Sequence, residues 1–161
     1  MGCLAKDVAA GALGGTAAGL LLSGMFLGME RVTGKPSVLV ELGRKAAAKL
    51  GSPYRYNPSK AAPEEQAMSH AGHLALSAAM GAVYPAFHAL PGMGGVSGGL
   101  LFGAGFYPLL WGALGPLIGL TPTPREEGLA TVAQRVALHA GFGLVTALVA
   151  NAVSPRAARQ A

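Results

Sequence analysis

The sequence predicts an all-α, polytopic membrane protein, a bundle of four transmembrane helices with one short amphipathic helix at the membrane interface. Three observations carry this reading. Charged residues make up 12% of the chain, whereas an ordinary soluble domain carries roughly 25%. The mean hydropathy is +0.45. The charges are also gathered outside long windows: none lies between Asp7 and Glu30, between Glu65 and Arg125, or between Arg135 and Arg156. A soluble helical protein of this apolarity would need exposed polar faces, which the windows lack.

A crossing needs about 20 apolar residues for a hydrocarbon core about 30 Å thick. The first window supplies a span over residues 8–29. It is long for a signal peptide and lacks a small-residue cleavage site, so it is expected to be retained. The window after Glu65 is too long for one crossing and breaks at the turn cluster Pro91-Gly92-Met93-Gly94-Gly95, giving spans 66–90 and 95–120. The last span covers 129–153, and at 161 residues the whole chain is one domain. Residues 155–161 are expected to be a disordered tail.

The later helices carry start signals. Thr123-Pro124-Arg125-Glu126 combines capping-box spacing with proline at the first helical position. Pro63-Glu64-Glu65 places acids in a first turn. Pro85, Pro108 and Pro116 fall inside spans, where each removes a backbone donor and predicts a kink.

Residues 30–65 form the one substantial loop, and Pro36 opens a helix over 37–50. Leu39, Leu42, Ala46 and Leu50 share one arc, and Glu41, Arg44, Lys45 and Lys49 the opposite one. Glu41 and Lys45 stand in the favourable i,i+4 order. Such a helix beside a span is expected to lie flat among the headgroups.

Glycine is placed rather than scattered. Gly11, Gly15 and Gly19 recur every four residues in the first span, as do Gly95, Gly99 and Gly103 in the third. Such rows let helix backbones approach closely in a membrane, so helix packing is their expected role. The two rows also align with each other, and His70-Ala71-Gly72 aligns with His139-Ala140-Gly141. This points to a 2+2 parallel internal repeat about an axis along the membrane normal, with the two histidines at equivalent depth.

Polar groups cost most inside a membrane, so their places carry information. His70 and His73 open the second span, and Gln134, Arg135 and His139 the fourth. Both helices run the same way, so these residues share one side with Glu30, Glu126 and Glu127. In the preferred reading this polar layer staples the helices, with Arg135 pairing to Glu30, Glu126 or Glu127. A second reading is a proton or small-solute path, since histidine titrates near neutral pH. A third has His70 and His139 ligating haem or a metal between helices. Tyr107 and Trp111 read as ordinary packing aromatics.

No catalytic motif or cofactor fingerprint is present, and the chain is expected to be neither an enzyme nor a cofactor carrier. Cys3 is the only cysteine, which excludes an internal disulfide, and Lys6 stands where the myristoylation pattern wants Ser or Thr. The net charge of +5 lies outside the spans, which points to anionic lipid headgroups and not to nucleic acid. Arg31, Lys35, Arg44, Lys45, Lys49, Arg55, Lys60, Arg125 and Arg135 fall on one side and only Lys6, Arg156 and Arg159 on the other. The positive-inside rule then puts the 30–65 loop in the cytoplasm and both termini outside.

The segment His70-Ala71-Gly72-His73, followed by Trp111-Gly112 and Pro116-Leu117-Ile118-Gly119-Leu120-Thr121-Pro122, resembles the YagU-like family of bacterial inner-membrane proteins over about residues 66–150. The resemblance implies a multi-pass protein of the bacterial inner membrane and brings no functional residues with it. The leading functional expectation is a structural or accessory component, working with other membrane subunits. The alternative is a small transporter or channel-like homo-oligomer, and an electron-transfer protein stands third.

Overall fold

The computed structural model describes residues 2–52 and 56–154. The expected tail at 155–161 lies outside the described residues. All regular structure within them is helical. Helix α1 runs Gly2–Thr33, α2 Val38–Lys49, α3 Pro63–His88 and α4 Gly95–Phe106. A π-helical segment, Tyr107–Leu114, continues α4 into the short α5, Gly115–Leu117. The single turn α6, Pro124–Glu127, precedes α7, Leu129–Val153.

Among the described residues, three helical stretches are long and apolar enough to cross a membrane: Leu4–Thr33, Gly95–Leu117 and Leu129–Val153. The expected span at 66–90 is helical within α3 but falls short of that apolarity. Its histidines, serines and Tyr84 lower its hydropathy. Three of these, His70, Ser77 and Tyr84, are buried, together with Gly81.

Local chemistry sets the boundaries. Gly34, at a left-handed φ of 68°, ends α1, and its N–H returns to the Glu30 carbonyl at 2.8 Å. Pro63 at the start of α3 supplies a preset φ, and Glu65 reaches back to the Ala62 N–H at 2.8 Å. Pro85 lies in the last turn of α3, which continues past it to His88.

Four long helices pack around glycine seams. Gly81 of α3 sits against the backbone of Gly11 and Gly15 on α1, and Gly143 of α7 sits against Gly99 and Gly103 on α4. Gly14 lies against the Thr146 backbone, closing α1 on α7. A methyl group at any of these positions would collide with main chain, so backbone distance here depends on glycine. The corner between α3 and α4 is filled differently. Tyr84, Phe87 and Phe106 all pack on Phe102, with ring centroids 5.2, 5.4 and 4.5 Å away.

The seams correct one expectation. Gly95 is not a packing glycine: it adopts a φ of 63° at the start of α4 and has open space around it, so it serves the turn. The two seams also make matching contacts, Gly81 with Gly11 and Gly15, and Gly143 with Gly99 and Gly103. These contacts pair Gly15 with Gly103 and Ser77 with His139, whereas the sequence match pairs Gly15 with Gly99 and His70 with His139.

The position of α2 departs from a helix lying free on a surface. Val40, on neither predicted arc, is wholly buried, and Gly43 packs against the Ser69 side chain of α3. Arg44, expected to face water, turns in to Glu65 at 2.8 Å.

A candidate binding site at the loop-side polar layer

Glu127 organises the site. Gly128, at a φ of 81°, turns the chain sharply between α6 and α7. The Glu127 side chain on α6 is consequently 2% exposed. Arg135, in the second turn of α7, pairs with its Oε1 at 3.0 Å. Trp111 Nε1 donates to the same oxygen at 3.0 Å, and the Tyr107 hydroxyl reaches Oε2 at 3.4 Å. The Arg135 guanidinium also lies over the Trp111 ring, 3.9 Å from its centroid, adding a cation–π contact.

The π segment explains how Tyr107 and Trp111 both reach this carboxylate. Widening the helix to i→i+5 bonds brings residues four apart nearly into line. Pro108 and Pro116 flank the region, and neither can donate a backbone hydrogen bond. Gly115 N–H bonds to the Leu110 carbonyl, the i→i+5 pattern. The Trp111 carbonyl thereby loses its α-helical donor, and its next candidate, Pro116, has no N–H. The Thr121 hydroxyl supplies the bond instead, at 3.0 Å. Such π segments recur at functional sites.

His139 completes this cluster. Its Nδ1 lies 2.7 Å from the Arg135 carbonyl, and its ring packs edge-on against Tyr107 with centroids 6.0 Å apart. A second cluster forms across the bundle. Buried Glu30 accepts from the Ser37 N–H at 2.9 Å and from Gln66 Nε2 at 2.6 Å. His73 meets Ser23 of α1 at 3.1 Å, and His70 is buried with neither ring nitrogen hydrogen-bonded. At the base of α3, burial pushes the Glu65 carboxyl up, but the Arg44 hydrogen bond, the Ala62 N–H and the Arg44 charge outweigh it, and the pKa is lowered from 4.5.

The layer is thus two clusters, and two predicted members are outside both. Gln134 is exposed on α7. Glu126 is exposed and spent locally, accepting from the Thr123 N–H at 2.7 Å and its hydroxyl at 2.9 Å, which holds its pKa below the usual value. The exposed helix face leaves them no inward path. Among the described residues no group of three or more His, Cys, Asp or Glu is placed to hold a metal ion. His139 is drawn to Tyr107 and the Arg135 carbonyl, while His70 is buried on α3.

Beside the Glu127 cluster opens a cleft of about 170 Å³. Val38, Glu41, Leu42 and Lys45 of α2 form one wall, and Trp111, Arg135 and residues 120–122 the other. Sequence reasoning missed Trp111 and Tyr107, whose spacing alone marks a packing stripe. It also read Glu41 and Lys45 as facing bulk water. The signal that was present is the pair of prolines around Trp111, followed by an acid directly before a glycine. Chemically, Glu127 already accepts from three groups and has little left to offer a substrate. Arg135 uses part of its five-donor fork on Glu127 and also lines the cleft. The arrangement suits binding of a polar group.

Comparison with family models, with curated proteins and with solved structures returns no match.

Proposed function

We propose that this chain is a four-span protein of the bacterial inner membrane that serves as a non-catalytic accessory component of a larger membrane assembly, with its 30–65 loop cytoplasmic. The observation that carries the reading is the way the helices present themselves. Inside, backbones meet at glycine seams. Outside, large apolar side chains stand exposed along every long helix, among them Leu13, Leu21, Val83, Leu101, Leu109 and Leu148. In water such a surface would aggregate; in lipid, or against other apolar helices, it is satisfied.

We take α3 as the fourth span on the same ground. Its buried face holds His70, Ser77 and Tyr84, while Met68, Leu76 and Val83 are turned out, so the polar residues that lower its hydropathy are shielded. The paired contacts of α1 with α3 and of α4 with α7 support reading the molecule as two similar helix pairs, in the register set by Gly81 and Gly143. The YagU-like resemblance fits this location.

Purification in mild detergent tests the proposal. The accessory reading expects other membrane proteins to co-purify in fixed ratio and to survive a second column. A homo-oligomer alone would instead support a small transporter. One observation favours that second reading: His70 is buried without a hydrogen-bond partner, an unusual expense for a purely structural residue. Proton flux in proteoliposomes, lost in His70→Phe, would bear it out.

A further inference from the structure

The cleft beside Arg135 has a charge pattern that selects a ligand class. Glu127 neutralises Arg135. What remains on the walls is one cation, Lys45, and one anion, Glu41, exposed one turn apart on α2 and not joined in an ion pair. A wall that carries a positive and a negative group one helical turn apart suits a zwitterion. The anionic end has the better-built position. Arg135 lines the cleft and has more donors than the one bond to Glu127 uses, in the forked arrangement that suits phosphate, and Lys45 lines the same cleft as a point charge.

Size and place narrow the class. At about 170 Å³ the cleft is smaller than the roughly 300–1,000 Å³ pockets that hold drug-sized molecules and cofactors, but it has room for a headgroup. It lies at the end of the bundle where α4 and its π segment finish and α7 begins. Leu117, Leu129 and Leu114 are exposed near that end, an apolar surface on which acyl chains can lie. The nature of the cation matters too. A quaternary ammonium is held on aromatic faces, but Arg135 already covers the Trp111 face. A primary ammonium needs a hydrogen-bond acceptor, and Glu41 provides one.

We propose that this cleft binds the phosphoethanolamine headgroup of a bilayer lipid, with the phosphate on Arg135 and Lys45 and the ammonium on Glu41. The inference rests on the membrane location of the chain and is independent of its accessory role.

Trp111 is the only tryptophan, so its emission reports the site directly. Short-chain phosphatidylethanolamine, phosphatidylcholine and phosphatidylglycerol are titrated into the full-length protein in detergent. Phosphatidylethanolamine is expected to saturate at a concentration about 10-fold below the other two, as one charge-assisted hydrogen bond implies. Glu41→Gln should remove that preference without changing phosphatidylcholine binding, and Lys45→Gln should weaken all three. Both side chains are exposed and unpaired, so neither change threatens the fold, which gel filtration checks. Equal or tighter binding of phosphatidylcholine or phosphatidylglycerol overturns the proposal, as does an unaltered preference in Glu41→Gln. Soluble glycerophosphoethanolamine should fail to compete at the lipid's own midpoint concentration; equal competition would overturn the lipid as source.

Discussion

A carboxylate as enclosed as that of Glu127 persists in an apolar protein only when donors surround it, and here three do. Removing the charged donor should therefore cost more than removing a surface pair. Arg135→Leu is expected to destabilise the bundle by about 3 kcal/mol, at the lower end of the range for a broken buried pair, because Trp111 and Tyr107 still donate. Arg135→Lys should recover only part of the loss, since it keeps the charge but not the fork or the stacking. Thermal unfolding in detergent measures both. The residue scale also sets an acid sensitivity. The lowered pKa of Glu65 means its contribution is fully present above 4.5 and is lost as pH falls through the lower folded value. Spin labels at Lys49 and Met68 should report α2 separating from α3 as pH falls below 4.5 and through the lowered Glu65 pKa, and Arg44→Gln should abolish that transition. An α2–α3 distance that is constant with pH would show that Glu65 does not hold the contact.

Among the elements, the glycine seams make the sharpest statement. A side chain at Gly15 meets the backbone of Ser77 and Gly81, whereas Leu21 is 62% exposed and Gly28 has open space around it. Gly15→Leu should cost about 3 kcal/mol or more, or prevent assembly, while Leu21→Ala and Gly28→Ala should stay within about 0.5 kcal/mol. Similar effects from all three, read by detergent-stability midpoints, would mean that the Gly15 face is not a helix contact. The π segment gives a second test. Thr121→Val removes a donor to the Trp111 carbonyl and should cost about 1 kcal/mol, with a shift in Trp111 emission. The glycine row of α1 was legible because four-residue spacing has one physical use in lipid. The π segment was not, because proline marks a break in helical bonding without saying how the chain repairs it.

For the whole molecule, the number of crossings decides the topology. Four spans put Lys60 and Arg125 on the same side of the membrane and Leu90 on the other. If α3 does not cross, Lys60 and Leu90 share a side and Arg125 lies opposite. Single cysteines at these three positions in a Cys3→Ser background, labelled from either side, are expected to give the four-span pattern. Charge counting predicts that the side carrying Lys60 and Arg125 is the basic one.

Hydropathy and charge spacing act through composition alone, so the sequence by itself determined an all-helical chain with apolar stretches long enough for a membrane. Likewise it determined which glycines of α1 could meet a neighbour, and that Arg135 needs an acid. Only the tertiary structure decided which acid. Glu30, Glu126 and Glu127 are equally charged and lie near the same surface, but the left-handed turn at Gly128 buries Glu127, Thr123 occupies Glu126, and Ser37 with Gln66 occupy Glu30. It also decided which backbones meet, Gly81 with Gly11 and Gly15 and Gly143 with Gly99 and Gly103, because a four-residue glycine row permits close approach without naming the partner helix.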